Sequence, residues 1–184
     1  MATFFDTHAH LDFPDFEADL PEIVARARAA GIERIVSIGT DLDSSARAVA
    51  LAERFPEVHA AVGWHPGHAE DAPDDFRAEL RALAAHPKVV AIGECGFDYY
   101  RLPSANGGTP DADARIKAKQ AVVFRQQLEV PPRSASTSWS TRAADRSATP
   151  WRRWSRSRRR SAACSIASSA RLTRCGAWSR WARG

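Results

Sequence analysis

Short apolar segments alternate with longer amphipathic segments through the first 130 residues of the chain. The apolar segments are rich in β-branched and aromatic residues, as strands are; they lie at residues 2–5, 35–39, 58–62 and 89–92. The amphipathic segments carry apolar residues at the spacing of a helix face; they lie at residues 20–30, 44–55, 74–86 and 120–130. Strands that alternate with helices of this length predict βαβ units, and therefore an α/β fold with a parallel sheet.

The end of the first apolar segment carries a motif that indicates metal binding. Residues 6–12 read D-T-H-A-H-L-D. Because residues two apart in a strand point to the same side, His8 and His10 present two imidazoles to one point. Imidazoles beside carboxylates are good metal ligands and poor core packing. An edge strand with two solvent-exposed histidines would have the same pattern, so the wider context decides between the two interpretations.

Four motifs, in this order, resemble those of the TatD family, metal-dependent hydrolases of the amidohydrolase-like group with a TIM-type barrel. They are D-T-H-A-H-L-D at 6–12, V-G-W-H-P at 62–66, A-I-G-E-C-G-F-D-Y at 91–99, and a helix at 120–130 containing V-F-R-Q-Q-L-E. The resemblance covers residues 1–130 and implies a partial (β/α)8 barrel, with about four of the eight βα units. In such a barrel His8, His10, His65 and Glu94 lie at strand ends on one face.

The resemblance implies a site for two divalent metal ions (Zn, Mg or Mn) that share a carboxylate ligand. His8 and His10 match ligands of the first ion, and Glu94 matches the bridging, catalytic carboxylate, whose two oxygens can contact both ions. His65 matches a histidine near the substrate, although a strand-end histidine before a turn would look the same. The family's later ligands have no counterparts, since all six histidines precede residue 87. We therefore expect a partial site in which the three ligands cluster. Glu94 should contribute little to metal affinity, because no closed barrel holds its strand in place.

The activity implied by the resemblance is hydrolysis of phosphodiester bonds of DNA, in the class of 3'-5' exonucleases. Two metal ions can activate water and stabilise both the attacking and the leaving oxygen of such a bond. With half a barrel and half of the ligands, we expect this chain to be inactive. Two other functions are compatible with the sequence: a hydrolase of a C–N or ester bond on the same barrel, and a non-enzymatic fragment that binds nucleic acid through its arginine-rich tail.

The composition changes abruptly after residue 130. Residues 131–184 hold 13 arginines, no lysine and one acidic residue, a net charge of +12, whereas residues 1–130 hold 13 basic and 21 acidic residues, a net charge of −8. The tail also holds five of the six tryptophans and shows no apolar periodicity. Arginine-rich segments are typical of nucleic-acid-binding arms. We expect residues 131–184 to form a disordered tail outside the barrel fragment.

An out-of-frame translation explains the tail better than a basic arm does. Residues 163–169 have possible codons that, read two bases later, give Val-Phe-His-Cys-Phe-Val, which resembles the family's sixth-strand motif. Residues 136–142, at the same offset, give Asn-Val-Val-Val-His-Thr, which resembles its fifth strand. One base lost near Val130 produces both. We therefore predict two regions: an N-terminal half barrel at 1–130 and an out-of-frame tail at 131–184.

The remaining patterns concern the cellular location of the protein. No apolar run approaches the ~20 residues that cross a membrane, and no secretion signal is recognisable. Three cysteines without metal-ligand spacing are compatible with a reducing cytoplasm, and Cys95 is expected to be buried in the core. His59, His68 and His86 are expected to be exposed to solvent. The patterns carry no signal for an oligomeric state.

Overall fold

The computed structural model describes residues 3–130 and the backbone of residues 139–142 and 164–166. Within these residues the strands are β1 (Phe4–Ala9), β2 (Ile32–Ile38), β3 (Val58–Val62), β4 (Val89–Ile92), β5 (Gly96–Phe97), β6 (Trp139–Arg142) and β7 (Cys164–Ile166). The helices are α1 (Leu20–Ala29), α2 (Leu42–Arg54), α3 (Arg77–Ala84) and α4 (Pro110–Leu128). Short 3-10 turns lie at Pro14–Phe16, Pro66–Asp71 and Pro103–Asn106.

The first four strands form one parallel sheet in chain order, β1-β2-β3-β4. Ile35 of β2 lies opposite Val58 of β3, and Val62 of β3 lies opposite Ile92 of β4. A helix follows each of the first three strands, and α4 follows β4 after the short strand β5, which confirms the α/β fold and the four predicted βα units. Because all four strands run the same way, their C-terminal ends meet at one edge of the sheet, where a (β/α)8 barrel places its functional residues.

Buried side chains lie on both faces of β2, β3 and β4, in keeping with the nearly continuous apolar runs of a parallel sheet. The face that packs against the helices holds the larger core; its buried side chains include Ile35, Val58, Val62, Phe76, Leu80, Ile92 and Val123. The opposite face, which corresponds to the barrel interior, holds a smaller apolar cluster of Val36, Ile38, Ala61 and Ala91. Small residues on this face leave room for the polar side chains that the strand ends carry.

Three helix starts differ from the sequence prediction; that of α2 lies only two residues before the predicted start. The α4 helix begins at Pro110, ten residues before the predicted start at Gln120, because Thr109 caps it by accepting the Ala112 N–H (3.2 Å). Proline at the first helical position and a threonine cap before it are favourable helix-start signals. The α3 helix is shorter than the predicted segment 74–86, since a 3-10 turn and an extended stretch precede it.

Beyond residue 130 the structure describes two short strands. β6 and β7 continue from β5 as a second parallel sheet, in the order β5-β6-β7. They lie within segments 136–142 and 163–169, the two segments in which the alternative reading frame contains strand motifs. The structure differs here from the expected unstructured tail. For the rest of residues 131–184, the predicted disorder lies outside the described residues.

Candidate metal centre

Three side chains converge where β1 and β4 end. His8 lies in β1, His10 follows its last residue, and Glu94 follows β4 by two residues. Each offers one ligand atom, and these atoms all lie within 4.8 Å of one another. The His8 Nε2 atom is 3.5 Å from the Glu94 Oε1 atom, and the two imidazole centroids are 5.1 Å apart. The predicted clustering of these residues is therefore present in the fragment, and Glu94 faces the imidazoles.

The His10 ring is oriented by two neighbours. Its Nδ1 atom lies 3.2 Å from the Ile38 carbonyl oxygen. A carbonyl can only accept, so Nδ1 carries the proton and Nε2 keeps its lone pair for a ligand bond. The Phe13 ring stacks on the imidazole, with centroids 5.0 Å apart and planes inclined by 17°. This arrangement fixes both the tautomer and the plane of His10.

The donor set fits one divalent cation. Two imidazole nitrogens and one carboxylate oxygen are the usual partners of zinc and of similar ions. The His8 and Glu94 side chains keep 37% and 13% of their surface exposed, so an ion and its water ligands can enter. Within the described part of the chain, no other group of three histidine, cysteine or acidic side chains converges in this way. The described residues thus offer ligands for one ion and a carboxylate oxygen that could face a second.

The two aspartates of the motif support the strand end and lie outside the ligand cluster. The Asp6 Oδ1 atom accepts the backbone N–H of His8 (3.1 Å). The Asp12 carboxylate is almost wholly buried and accepts a hydrogen bond from Arg47 of α2 (3.2 Å). Asp12 thereby ties the segment after β1 to α2.

His65 lies directly before the turn that follows β3, and its ring has a defined tautomer. The Nδ1 atom accepts the Gly67 N–H (3.0 Å), so in the neutral ring the proton is on Nε2. Burial lowers the pKa of His65, and the Glu94 carboxylate opposes part of this effect. The His65 backbone N–H donates to the Thr40 carbonyl (2.8 Å). The ring is therefore held neutral with Nε2–H as a hydrogen-bond donor.

Several residues that the sequence analysis left without a role contribute to this face. Asp98, the next-to-last residue of the third motif, exerts a charge effect on His65. Two buried glutamines of α4, Gln120 and Gln127, bind the backbone of the loops that follow β5 and β3. Their seven-residue spacing places both side chains on one face of α4, but nothing in the local sequence indicates which loops they bind.

The predictions for the other cysteines and histidines had mixed outcomes. Cys95 is buried as predicted, and burial raises the pKa of its thiol to about 12. His68 is exposed as predicted, and His86 is half-buried beside Glu53 (3.1 Å). The prediction for His59 was wrong: only 7% of its surface is exposed, because it lies on the inner face of β3 and accepts a hydrogen bond from Arg34 (3.1 Å).

Comparison with known proteins settles the family. A family model described as TatD related DNase matches residues 5–135. The chain belongs to the TatD family. The match ends within a few residues of the composition change at residue 130. No helix in the described part of the chain has the length and hydrophobicity needed to span a membrane.

Members of the TatD family align with the first two thirds of this chain. The uncharacterized metal-dependent hydrolase YabD of Bacillus subtilis is 46% identical over 124 residues, which cover 67% of this chain and 44% of YabD. The 3'-5' ssDNA/RNA exonuclease TatD of Cronobacter turicensis is 40% identical over 126 residues, 68% of this chain and 44% of that protein. The chain therefore spans less than half the length of these relatives.

The fold is also similar to that of a solved TatD homologue. The crystal structure of YjjV from Escherichia coli superimposes with a TM-score of 0.62 and 31% sequence identity. The superposition covers 75% of this chain and 50% of YjjV. This coverage agrees with a TIM-type barrel of which the chain holds about half.

Proposed function

We propose that residues 1–130 are the N-terminal half of a metal-dependent phosphodiesterase that degrades DNA from its 3' end. The observation that carries the proposal is the convergence of His8, His10 and Glu94 at the strand ends, with His65 on the same face. The names of relatives support the substrate class, since several are 3'-5' ssDNA/RNA exonucleases. The relatives extend well beyond the part that this chain matches, so the proposed activity belongs to the complete barrel.

The residues of the fragment have distinct tasks in this proposal. His8 and His10 would hold one divalent ion through nitrogen lone pairs, and Glu94 would present its second oxygen toward another ion. Such ions, when bound, lower the pKa of a water molecule and offset the charge of the phosphate. His65 would donate its Nε2–H to a phosphate oxygen, a task that suits a ring held neutral by burial. A carboxylate in this position also repels a phosphate unless metal ions neutralise it.

We further propose that residues 131–184 are an out-of-frame translation and that the chain is inactive alone. Three observations support this: the family match ends at residue 135, the charge reverses at residue 130, and two later segments acquire strand motifs in one alternative frame. The family's remaining histidine ligands would come from these segments. Sequencing the source DNA across the junction tests the proposal, because an error-free template that encodes the tail as written would exclude it.

The catalytic proposal is tested with a single-stranded oligonucleotide labelled at its 5' end. A frame-restored protein should shorten it from the 3' end with added Mg²⁺ or Mn²⁺, and the chain as written should not. A C–N or ester hydrolase would leave the oligonucleotide intact in both cases. Salt-sensitive binding without cleavage, unchanged in a His8→Ala, His10→Ala double variant, would instead favour the nucleic-acid-binding function of the basic tail.

A further inference from the structure

Three buried glutamines of α4 each bind a backbone N–H and a backbone carbonyl of a loop that follows a strand. The Gln127 Oε1 atom accepts the Trp64 N–H (2.8 Å), and its Nε2 atom donates to the Trp64 carbonyl (2.9 Å). Gln120 binds both backbone groups of Asp98 in the same way (3.0 and 2.9 Å). Gln126 accepts the Phe76 N–H (3.0 Å) and donates to the Asp74 carbonyl (2.7 Å).

The Gln127 and Gln120 contacts lie just beyond the ends of β3 and β5, whereas Gln126 binds the stretch before α3. A glutamine amide has one acceptor and two donors, so it can satisfy a backbone N–H and a carbonyl together. Buried backbone groups need such partners, because each group that has no hydrogen bond lowers the stability of the fold by ~1–3 kcal/mol. Gln127 is 1% exposed, and a Cβ atom placed on Gly63 would lie 2.7 Å from its Oε1 atom. The amide therefore packs directly against the end of β3, where the strand continues into the turn.

The Gln127 contact lies one residue before His65. The Trp64 backbone is held by Gln127, and the next N–H, that of His65, is held by the Thr40 carbonyl (2.8 Å). The Trp64 indole N–H donates to the His68 carbonyl (2.7 Å), and the Gly67 N–H donates to the His65 ring (3.0 Å). The turn that sets the His65 tautomer is thus held by Thr40, which lies just before α2, and by Gln127 of α4.

We propose that Gln127 is a positioning residue for His65: its amide fixes the Trp64 backbone so that the imidazole accepts the Gly67 N–H and presents Nε2–H to the metal-site face. The use of that donor on a phosphate rests on the proposed function; the positioning itself does not. Gln120 and Gln126 hold other loops, so they serve as comparisons within the same helix.

The experiment compares Gln127→Met, which keeps the length and removes both hydrogen bonds, with Gln126→Met, which does the same at the neighbouring loop. Three quantities are measured on the whole chain without substrate: the ring ¹⁵N signals of His65, amide exchange at Gly67, and Zn²⁺ affinity. For Gln127→Met we expect a mixture of His65 tautomers. Amide hydrogen exchange at Gly67 should be about tenfold faster, which corresponds to ~1.4 kcal/mol. For Gln126→Met the His65 tautomer and the exchange at Gly67 should stay as in the parent chain. The Zn²⁺ affinity should be unchanged in both variants.

Two results would overturn the proposal. One is an unchanged His65 tautomer and unchanged Gly67 exchange in Gln127→Met; the other is an equal change in both variants, which would show a general loss of packing. If Gln127→Met does not fold, Gln127→Glu serves instead, because its carboxylate keeps the acceptor for the Trp64 N–H and loses the donor. This variant should give an intermediate ratio of His65 tautomers. A ratio like that of the parent chain would overturn the proposal. No readout requires catalysis, so failure here is distinct from failure of the proposed function.

Discussion

The Nδ1 atom of His10 lies 3.2 Å from the carbonyl oxygen of Ile38, across the boundary between β1 and β2. This bond joins the candidate metal ligand to the neighbouring strand of the same sheet. It leaves the lone pair of Nε2 available for a ligand bond, and such outer contacts commonly account for about 10- to 100-fold in metal affinity. The ligand geometry therefore depends on pairing of the first two strands, which the fragment retains.

The stack of Phe13 on His10 should contribute to metal affinity. Phe13→Ala removes an aromatic pair worth ~0.5–1.5 kcal/mol, so we expect Zn²⁺ affinity to fall by about two- to tenfold. Phe16→Ala is the matched control, because Phe16 is similarly exposed (38% against 46%) and follows in the same segment. Competition with a chromophoric chelator measures both. Equal affinity in the Phe13→Ala variant and the parent chain would show that the stack does not orient His10.

His59 should make the fold less stable in mild acid. Burial, with Lys88 and Arg34 nearby, lowers the pKa of His59 to about 4, and its backbone hydrogen bond with Glu57 offsets this only in part. The ordinary value applies in the unfolded chain, so between pH 6.5 and 4 the unfolded state binds a proton that the folded state does not. The free energy of unfolding should therefore fall as the pH falls through this window, by ~1–3 kcal/mol in total.

The contribution of His59 is isolated by comparison with His59→Gln. Glutamine can still accept the Arg34 hydrogen bond and does not titrate. Urea unfolding at pH 7, 5.5 and 4.5 measures the free energy of unfolding of each protein. Carboxylates contribute to both proteins alike, so the difference between them reports His59. Parallel pH profiles for the two proteins would contradict the assignment.

Leu80 should be a large contributor to stability. It is fully buried between α3 and the sheet, so Leu80→Ala leaves a cavity and should lower the free energy of unfolding by ~2–5 kcal/mol. Leu128→Ala, at a position 37% exposed, should cost less than ~1 kcal/mol. Thermal unfolding followed by circular dichroism measures both. A small effect at Leu80 would mean that the helix layer packs loosely in the fragment.

The sequence predicted the α/β fold with a parallel sheet and, through its resemblance to the family, the convergence of His8, His10 and Glu94 at one edge of that sheet. It was less informative where a polar residue is buried by a specific partner. His59 looked solvent-exposed, since its hydrogen bond with Arg34 joins residues 25 positions apart. The role of Gln127 was equally hidden, because the backbone it binds lies 63 residues earlier in the chain. Pairings of this kind follow from the fold and have no local signature.

The central claim is that the first four βα units alone assemble a metal-binding half-site from His8, His10 and Glu94. Isothermal titration of the chain with Zn²⁺ tests it most directly, with His10→Ala, Glu94→Ala and, as control, the exposed His68→Ala. We predict about one ion per chain, binding abolished by His10→Ala, unchanged in His68→Ala, and weakened by Glu94→Ala less than in a frame-restored barrel. Zn²⁺ binding that survives His10→Ala undiminished would contradict the account.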